Sequence, residues 1–238
     1  MTPHRFEARK QQWKQRLEAD PQDKEALFEL GQAFMDDHDP TEAMKWFREA
    51  LRLDPENARV ANAMGDACSD LDLFDDAAIW YRKATTLAPA FAEAWLNQAN
   101  ALMELGRWPE AETSLREAIR LDPGLDEAYL YLAQCLLRQN QVPEAKRILL
   151  EAQEREPGEF QTYVALSDCS LRLGDLEGAL TACEEALTHV VDMEELEILI
   201  ESLRGAGLSQ ARAEALREKA AAAVAEGRVR KGKGRKRK

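Results

Sequence analysis

The chain has 238 residues, 45% hydrophobic and 32% charged, with a net charge of −12. That is enough for one or two globular domains, and only 12 Gly and 9 Pro beside abundant Ala, Leu, Glu and Arg lean it toward helix. The charged N-terminus, MTPHRFEARKQQW, lacks the apolar core of a signal peptide, and no apolar run approaches the ~20 residues of a membrane span; the expectation is a soluble cytoplasmic protein.

Taken in chain order, the first element is a helix within residues 1–23. Phe6, Trp13 and Leu17 fall on one of its faces. Beyond it a period emerges: Pro21, Pro55, Pro89, Pro123 and Pro157 are each 34 residues apart. A fixed spacing in this range marks a repeat architecture and decides the fold reading. Frames set at 24–57, 58–91, 92–125, 126–159 and 160–193 align closely.

Each frame opens with a helix. Its fourth column reads Leu27, Ala61, Trp95, Tyr129, Tyr163, and its seventh and eighth include Leu30-Gly31 and Met64-Gly65. Spacings of three and four define one buried face. The fifteenth column is His38, Asp72, Gly106, Asn140, Gly174, all residue types enriched at positive φ, as a left-handed helix C-cap requires. A second helix follows. Its twentieth column is Ala43, Ala77, Ala111, Ala145, Ala179, and its twenty-seventh is again alanine throughout. Small residues at these sites let two helices approach closely. The proline then ends the second helix, because it cannot continue the hydrogen-bond ladder.

Residues 194–227 read as a further helix pair joined at Gly205-Ala206-Gly207, with Glu201 in the column that holds glycine in the first two frames. That polarity suits a solvent-facing terminal cap. Residues 228–238, RVRKGKGRKRK, form a tail with eight Lys/Arg and no acid. The rest of the chain therefore holds 24 bases against 44 acids, a net of −20.

These columns resemble the tetratricopeptide repeat, over Lys24–Met193, about 70% of the chain. The fifth frame departs from the pattern, with Cys183 for the aromatic and Val191 for the proline. The resemblance implies an all-α, right-handed α-solenoid of about five helix–turn–helix repeats between capping helices. It also implies a protein–protein interaction scaffold that binds a peptide or helix on the concave face formed by the first helices.

Little suggests chemistry. His4, His38 and His189 are scattered, and no zinc, phosphate-loop or nucleophile motif is present. The four cysteines, Cys68, Cys135, Cys169 and Cys183, lack metal spacing and read as buried, reduced thiols. Asp36-Asp37-His38-Asp39 reads as a turn, with Asp39 capping the helix that starts at Pro40. No enzyme activity, cofactor or metal is expected.

The resemblance directs attention to the second, fifth, ninth, twelfth and thirteenth columns. The second, ninth and thirteenth supply Glu25, Asp36, Asp66, Asp70, Glu93, Glu104, Glu127 and Asp168 against Arg59, Arg138 and Arg172. The expected ligand groove is negative, with an apolar floor in the third to fifth frames. Its candidate residues are Asp66, Asp70, Glu93, Leu96, Asn97, Asn100, Met103, Glu104, Glu127, Leu130, Gln134 and Leu137. The implied partner is a protein or peptide with basic and apolar side chains; an alternative is a nucleic acid or ribosome held by the basic tail. Repeats that clamp the carboxylate of Hsp70 and Hsp90 need Lys, Asn and Arg where this chain has Phe28, Gln32, Ala63, Glu93 and Asn97, so that clamp is absent.

Overall fold

A computed structural model describes residues 3–157, 160–187 and 193–225. Among them lie thirteen α-helices: α1 (Pro3–Ala19), α2 (Lys24–Asp36), α3 (Pro40–Leu53), α4 (Ala58–Ser69), α5 (Phe74–Leu87), α6 (Ala92–Glu104), α7 (Trp108–Leu121), α8 (Asp126–Arg138), α9 (Val142–Arg155), α10 (Phe160–Arg172), α11 (Leu176–Ala186), α12 (Met193–Gly205) and α13 (Gln210–Ala225). The fold is an all-α helical solenoid. It divides into two compact units, Met1–Leu125 and Asp126–Lys238. The basic tail, His189 and Val191 lie outside the described residues.

The period sets every helix start within the repeats. First helices begin at 24, 58, 92, 126 and 160, and second helices at 40, 74, 108, 142 and 176. Asp23, Asp39, Asn57 and Asp175 cap four of these starts with side-chain bonds to Ala26, Glu42, Val60 and Gly178 N–H. The hairpin turns are equivalent. His38, Asp72, Gly106, Asn140 and Gly174 all take positive φ, between 57° and 75°. In each turn the next N–H reaches back five residues, as in Asp39 N to Phe34 O at 2.9 Å and Arg107 N to Leu102 O at 2.8 Å. This is the Schellman closure, which satisfies carbonyls that a helix end otherwise leaves bare.

Within the first unit α2 pairs with α3, α4 with α5 and α6 with α7, and α3 and α5 also contact the hairpin that follows. The alanines of the second helices are sealed: Ala43, Ala77 and Ala111 are all 0% exposed. Gly31 and Gly65 face the rings of Phe47 and Tyr81, where an added Cβ would overlap the ring. Helix α1 packs on α2, and Trp13 and Leu17 join the core of Leu27, Leu30 and Phe47. Its polar edge matters as much. Arg9 pairs with Asp36, and buried Lys10 pairs with Asp37 while its ammonium sits 4.5 Å from the Phe34 ring centroid. The Asp36-Asp37 turn, exposed at Asp36 and half-buried at Asp37, thus also anchors α1.

The second unit repeats the arrangement in α8–α9 and α10–α11 and closes with α12–α13. Here the period slips. The image of the buried columns one frame on would place residues 197, 200, 201 and 204 in the core; the residues buried are Leu196, Leu199, Ile200 and Leu203, whereas Glu197 and Glu201 are exposed. Ile200, not Glu201, occupies the glycine column. The frame before α12 spans 33 residues, since α10 starts at Phe160 and α12 at Met193. Helix α13 is riveted at its edges by Arg212–Glu177 (2.8 Å), Lys219–Glu184 (2.7 Å) and Arg217–Glu201 (2.9 Å).

Candidate functional site

In the second unit the first helices α8, α10 and α12 line one open groove of about 790 Å³. Leu130 and Leu137 come from α8, Val164 and Leu171 from α10, and Ile198 and Leu199 from α12. Leu130, Leu137, Val164 and Leu171 are half-buried, as a floor must be, whereas Ile198 is 64% exposed. Glu127 and Gln134 are exposed at the rim. Four acids line the groove, Asp126, Glu127, Glu156 and Asp168, and no Lys or Arg does. Two are engaged: Asp126 accepts from Arg155 Nε at 3.1 Å and Asp168 from Arg172 Nε at 2.9 Å.

The first-unit candidates separate into two kinds. Asp70, Glu93 and Glu104 are exposed, and Asn100 and Met103 half-buried. Leu96 is 3% exposed and belongs to the core, so it is no part of a ligand floor; α6 is enclosed by α5 and α7 and touches α4. Asp66 is also not a free surface acid. Its Oδ1 accepts from Tyr81 Oη at 2.8 Å and Asn97 Nδ2 at 3.2 Å, and its Oδ2 from Asn62 Nδ2 at 3.2 Å. Burial pushes this carboxyl up to about 6; the Tyr81 bond opposes the shift, and the charges of Glu93 and Asp70 add to it. Burial likewise lifts Tyr81, so it stays a phenol and a donor.

Ion pairing trims the expected negative face. Glu25 bonds Arg16, and Asp36 bonds Arg9. Asp70, Glu93, Glu104 and Glu127 remain as exposed acids outside the ion pairs. Sequence reasoning missed Ile198, Leu199 and Ser202, because α12 reads as a solvent-facing cap. An isoleucine on the outer side of a cap helix, between Glu197 and Glu201, was the signal available.

Among the described residues no group of His, Cys, Asp and Glu is arranged to hold a metal ion. All four cysteines are buried thiols outside any disulfide. No helix among those residues is long and apolar enough to cross a membrane.

A sequence comparison with curated proteins finds no match. Solved structures share the fold. YrrB, described as a TPR protein with an unusual peptide-binding site, is 17% identical, with a TM-score of 0.70 over 77% of this chain and 95% of its own. Pseudomonas aeruginosa PilF is 19% identical, TM-score 0.68, over 85% and 89%. MamA is 24% identical, TM-score 0.61, over 64% and 89%. At such identities the likeness establishes architecture alone. A family model described as tetratricopeptide repeat matches residues 7–58, 47–92, 96–159 and 136–189, so most of the chain is covered. With the columns, turns and helix starts all agreeing, the chain belongs to the tetratricopeptide-repeat family.

Proposed function

We propose that the protein is a non-enzymatic interaction scaffold whose second unit holds an amphipathic peptide or helix, apolar on one side and basic beside it. The observation that carries this reading is the groove of about 790 Å³ across α8, α10 and α12, apolar in its floor and lined by acids without a lysine or arginine. Apolar floors of this size supply affinity through buried area, and charge at the rim supplies orientation and partner choice. Exposed Glu127 and Glu156 each offer a carboxylate to a lysine or arginine. In the first unit, Asp70, Glu93 and Glu104 present acids of the same kind, with Asn100 and Met103 in the expected groove columns and Asn97 beside them. The YrrB likeness supports peptide binding as a use to which this fold is put.

The test is capture by the full chain of a labelled amphipathic peptide carrying a leucine stripe flanked by lysines, read by fluorescence anisotropy. Val164→Asp and Glu127→Lys should each weaken binding at least tenfold with helicity by circular dichroism unchanged. An equal affinity for a peptide with glutamates in place of the lysines would reject the charge argument, and binding undiminished in both variants would reject the groove.

A further inference from the structure

Asp66 is a carboxylate with an unusual set of partners, and the groove of the second unit does not use it. Three helices hold it. Asn62 from its own α4 donates to Oδ2 at 3.2 Å; Tyr81 from α5 and Asn97 from α6 donate to Oδ1 at 2.8 and 3.2 Å. Asn97 Nδ2 also lies 3.3 Å from Asn62 Oδ1, so side chains join the second and third repeats at this corner. Asn62 is 6% exposed and Tyr81 3%, which leaves little water to replace a lost partner.

Among the described residues no cation pairs with this carboxyl. On its own helix Asp66 faces Asp70, and from α6 it faces Glu93, both negative. Tyr81 is the titratable group presented by α5. Helices α2 and α3 also touch α4, but none of the charges acting on Asp66 comes from them; Arg59 at the start of α4 lies over the Phe28 ring at 4.8 Å. Burying an ion beside like charges favours its neutral form.

Oδ1 accepts two hydrogen bonds and Oδ2 only one, so the carboxyl can take a proton at the second lone pair of Oδ2 with the bonds from Tyr81, Asn62 and Asn97 all in place. Asp66 is half-buried, so water can accept from that proton.

We propose that Asp66 is a proton-operated brace between the second and third repeats: in mild acid its carboxyl takes a proton on Oδ2, keeps its bonds to Tyr81, Asn62 and Asn97, sheds its repulsion with Glu93 and Asp70, and tightens the corner of α4, α5 and α6. The sign follows from linkage. The folded carboxyl titrates at about 6 against 3.8 for an ordinary one, so the folded state holds the proton more firmly. The stabilisation is fully present below 3.8 and is lost as pH rises through about 6. Between pH 5 and pH 7.5 that corresponds to an opening equilibrium about tenfold smaller at the lower pH.

The experiment is done on the full chain. Carbon-13 NMR follows the Asp66 carboxyl, and hydrogen exchange, corrected for intrinsic rates, follows the amides of α4, α5 and α6 at pH 5 and 7.5. The whole acidic body relaxes somewhat in acid, so the deciding quantity is the difference between parent and Asp66→Asn. Expected are a midpoint near 6, opening about tenfold rarer at pH 5 in the parent beyond any change in Asp66→Asn, and a midpoint displaced upward by Tyr81→Phe, which removes the donor that favours the ion. A midpoint near 4, or the same pH difference in parent and Asp66→Asn, would overturn the proposal. Should Asp66→Asn not fold, the parent titration and its displacement in Tyr81→Phe decide alone.

Discussion

Gly31 of α2 lies flat against the ring of Phe47 of α3, so close that a single Cβ on residue 31 would occupy the space of the ring edge. Phe47 is fully buried and cannot swing clear. Gly31→Ala should therefore cost about 1–3 kcal/mol, the usual range for overpacking, read as a lower urea midpoint for the first unit. Ala111→Leu should behave likewise, since Ala111 is 0% exposed. An unchanged midpoint for both would mean that the helix pairs pack on other faces.

The turns offer the opposite sign. His38, Asp72 and Asn140 hold φ near 60° without being glycine. Asn140→Gly relieves the Cβ penalty of that conformation and should leave stability unchanged or raise it by up to about 1 kcal/mol. Gly174→Ala, at φ 75° with nothing within 4 Å of the new methyl, should lower it by about 1 kcal/mol through backbone strain alone. Thermal midpoints of the two variants check both signs.

In the C-terminal pair, apolar burial should outweigh the visible ion pairs. Arg217 bonds both Glu197 and Glu201, but the three are partly or largely exposed. Arg217→Met should cost no more than about 1 kcal/mol. Leu203→Ala, at a site 0% exposed, should cost about 2–5 kcal/mol. Urea titrations of the two variants rank the contributions.

Cys183 is 0% exposed, and burial pushes its thiol up to about 12. In the folded chain it should resist alkylation at pH 8, and labelling should proceed only through opening of the fold. The linked effect on stability has a definite sign. An unfolded thiol releases its proton near 9 and the folded one later, so stability contributed by Cys183 is intact below 9 and falls from there to about 12. Cys183→Ala should flatten that alkaline slope in denaturation curves; mass spectrometry reads the labelling.

Much of the fold was legible because the frame repeats. Each of the five turn positions was fixed by residue type and each takes positive φ. Alanine at two columns announced close helix contacts, and those alanines are buried. The candidate site was harder to read, because a column says which way a residue points on an ideal helix but not what lies opposite. Leu96 shares its column with half-buried Leu130 yet is sealed. Asp66 looks like a surface acid until Tyr81 and Asn97, 15 and 31 residues away, are seen to take its oxygens. Asp36 and Asp37 gain partners only when α1 folds back across 27 residues. Long-range pairing of this kind leaves no periodic trace.

The common 34-residue frame has a further consequence for how this chain can change in length. A hairpin begins and ends at equivalent turns, so excising residues 58–91 would join Asn57, a cap, directly to Ala92, another first-helix start, with the following turn at Gly106 unaltered. Removing one residue more or fewer within a frame would rotate the next helix by about 100° and turn its apolar stripe away from its neighbour. The one frame that is a residue short among the described helices precedes the α12–α13 hairpin. Length in this protein is quantised, and the step is one hairpin.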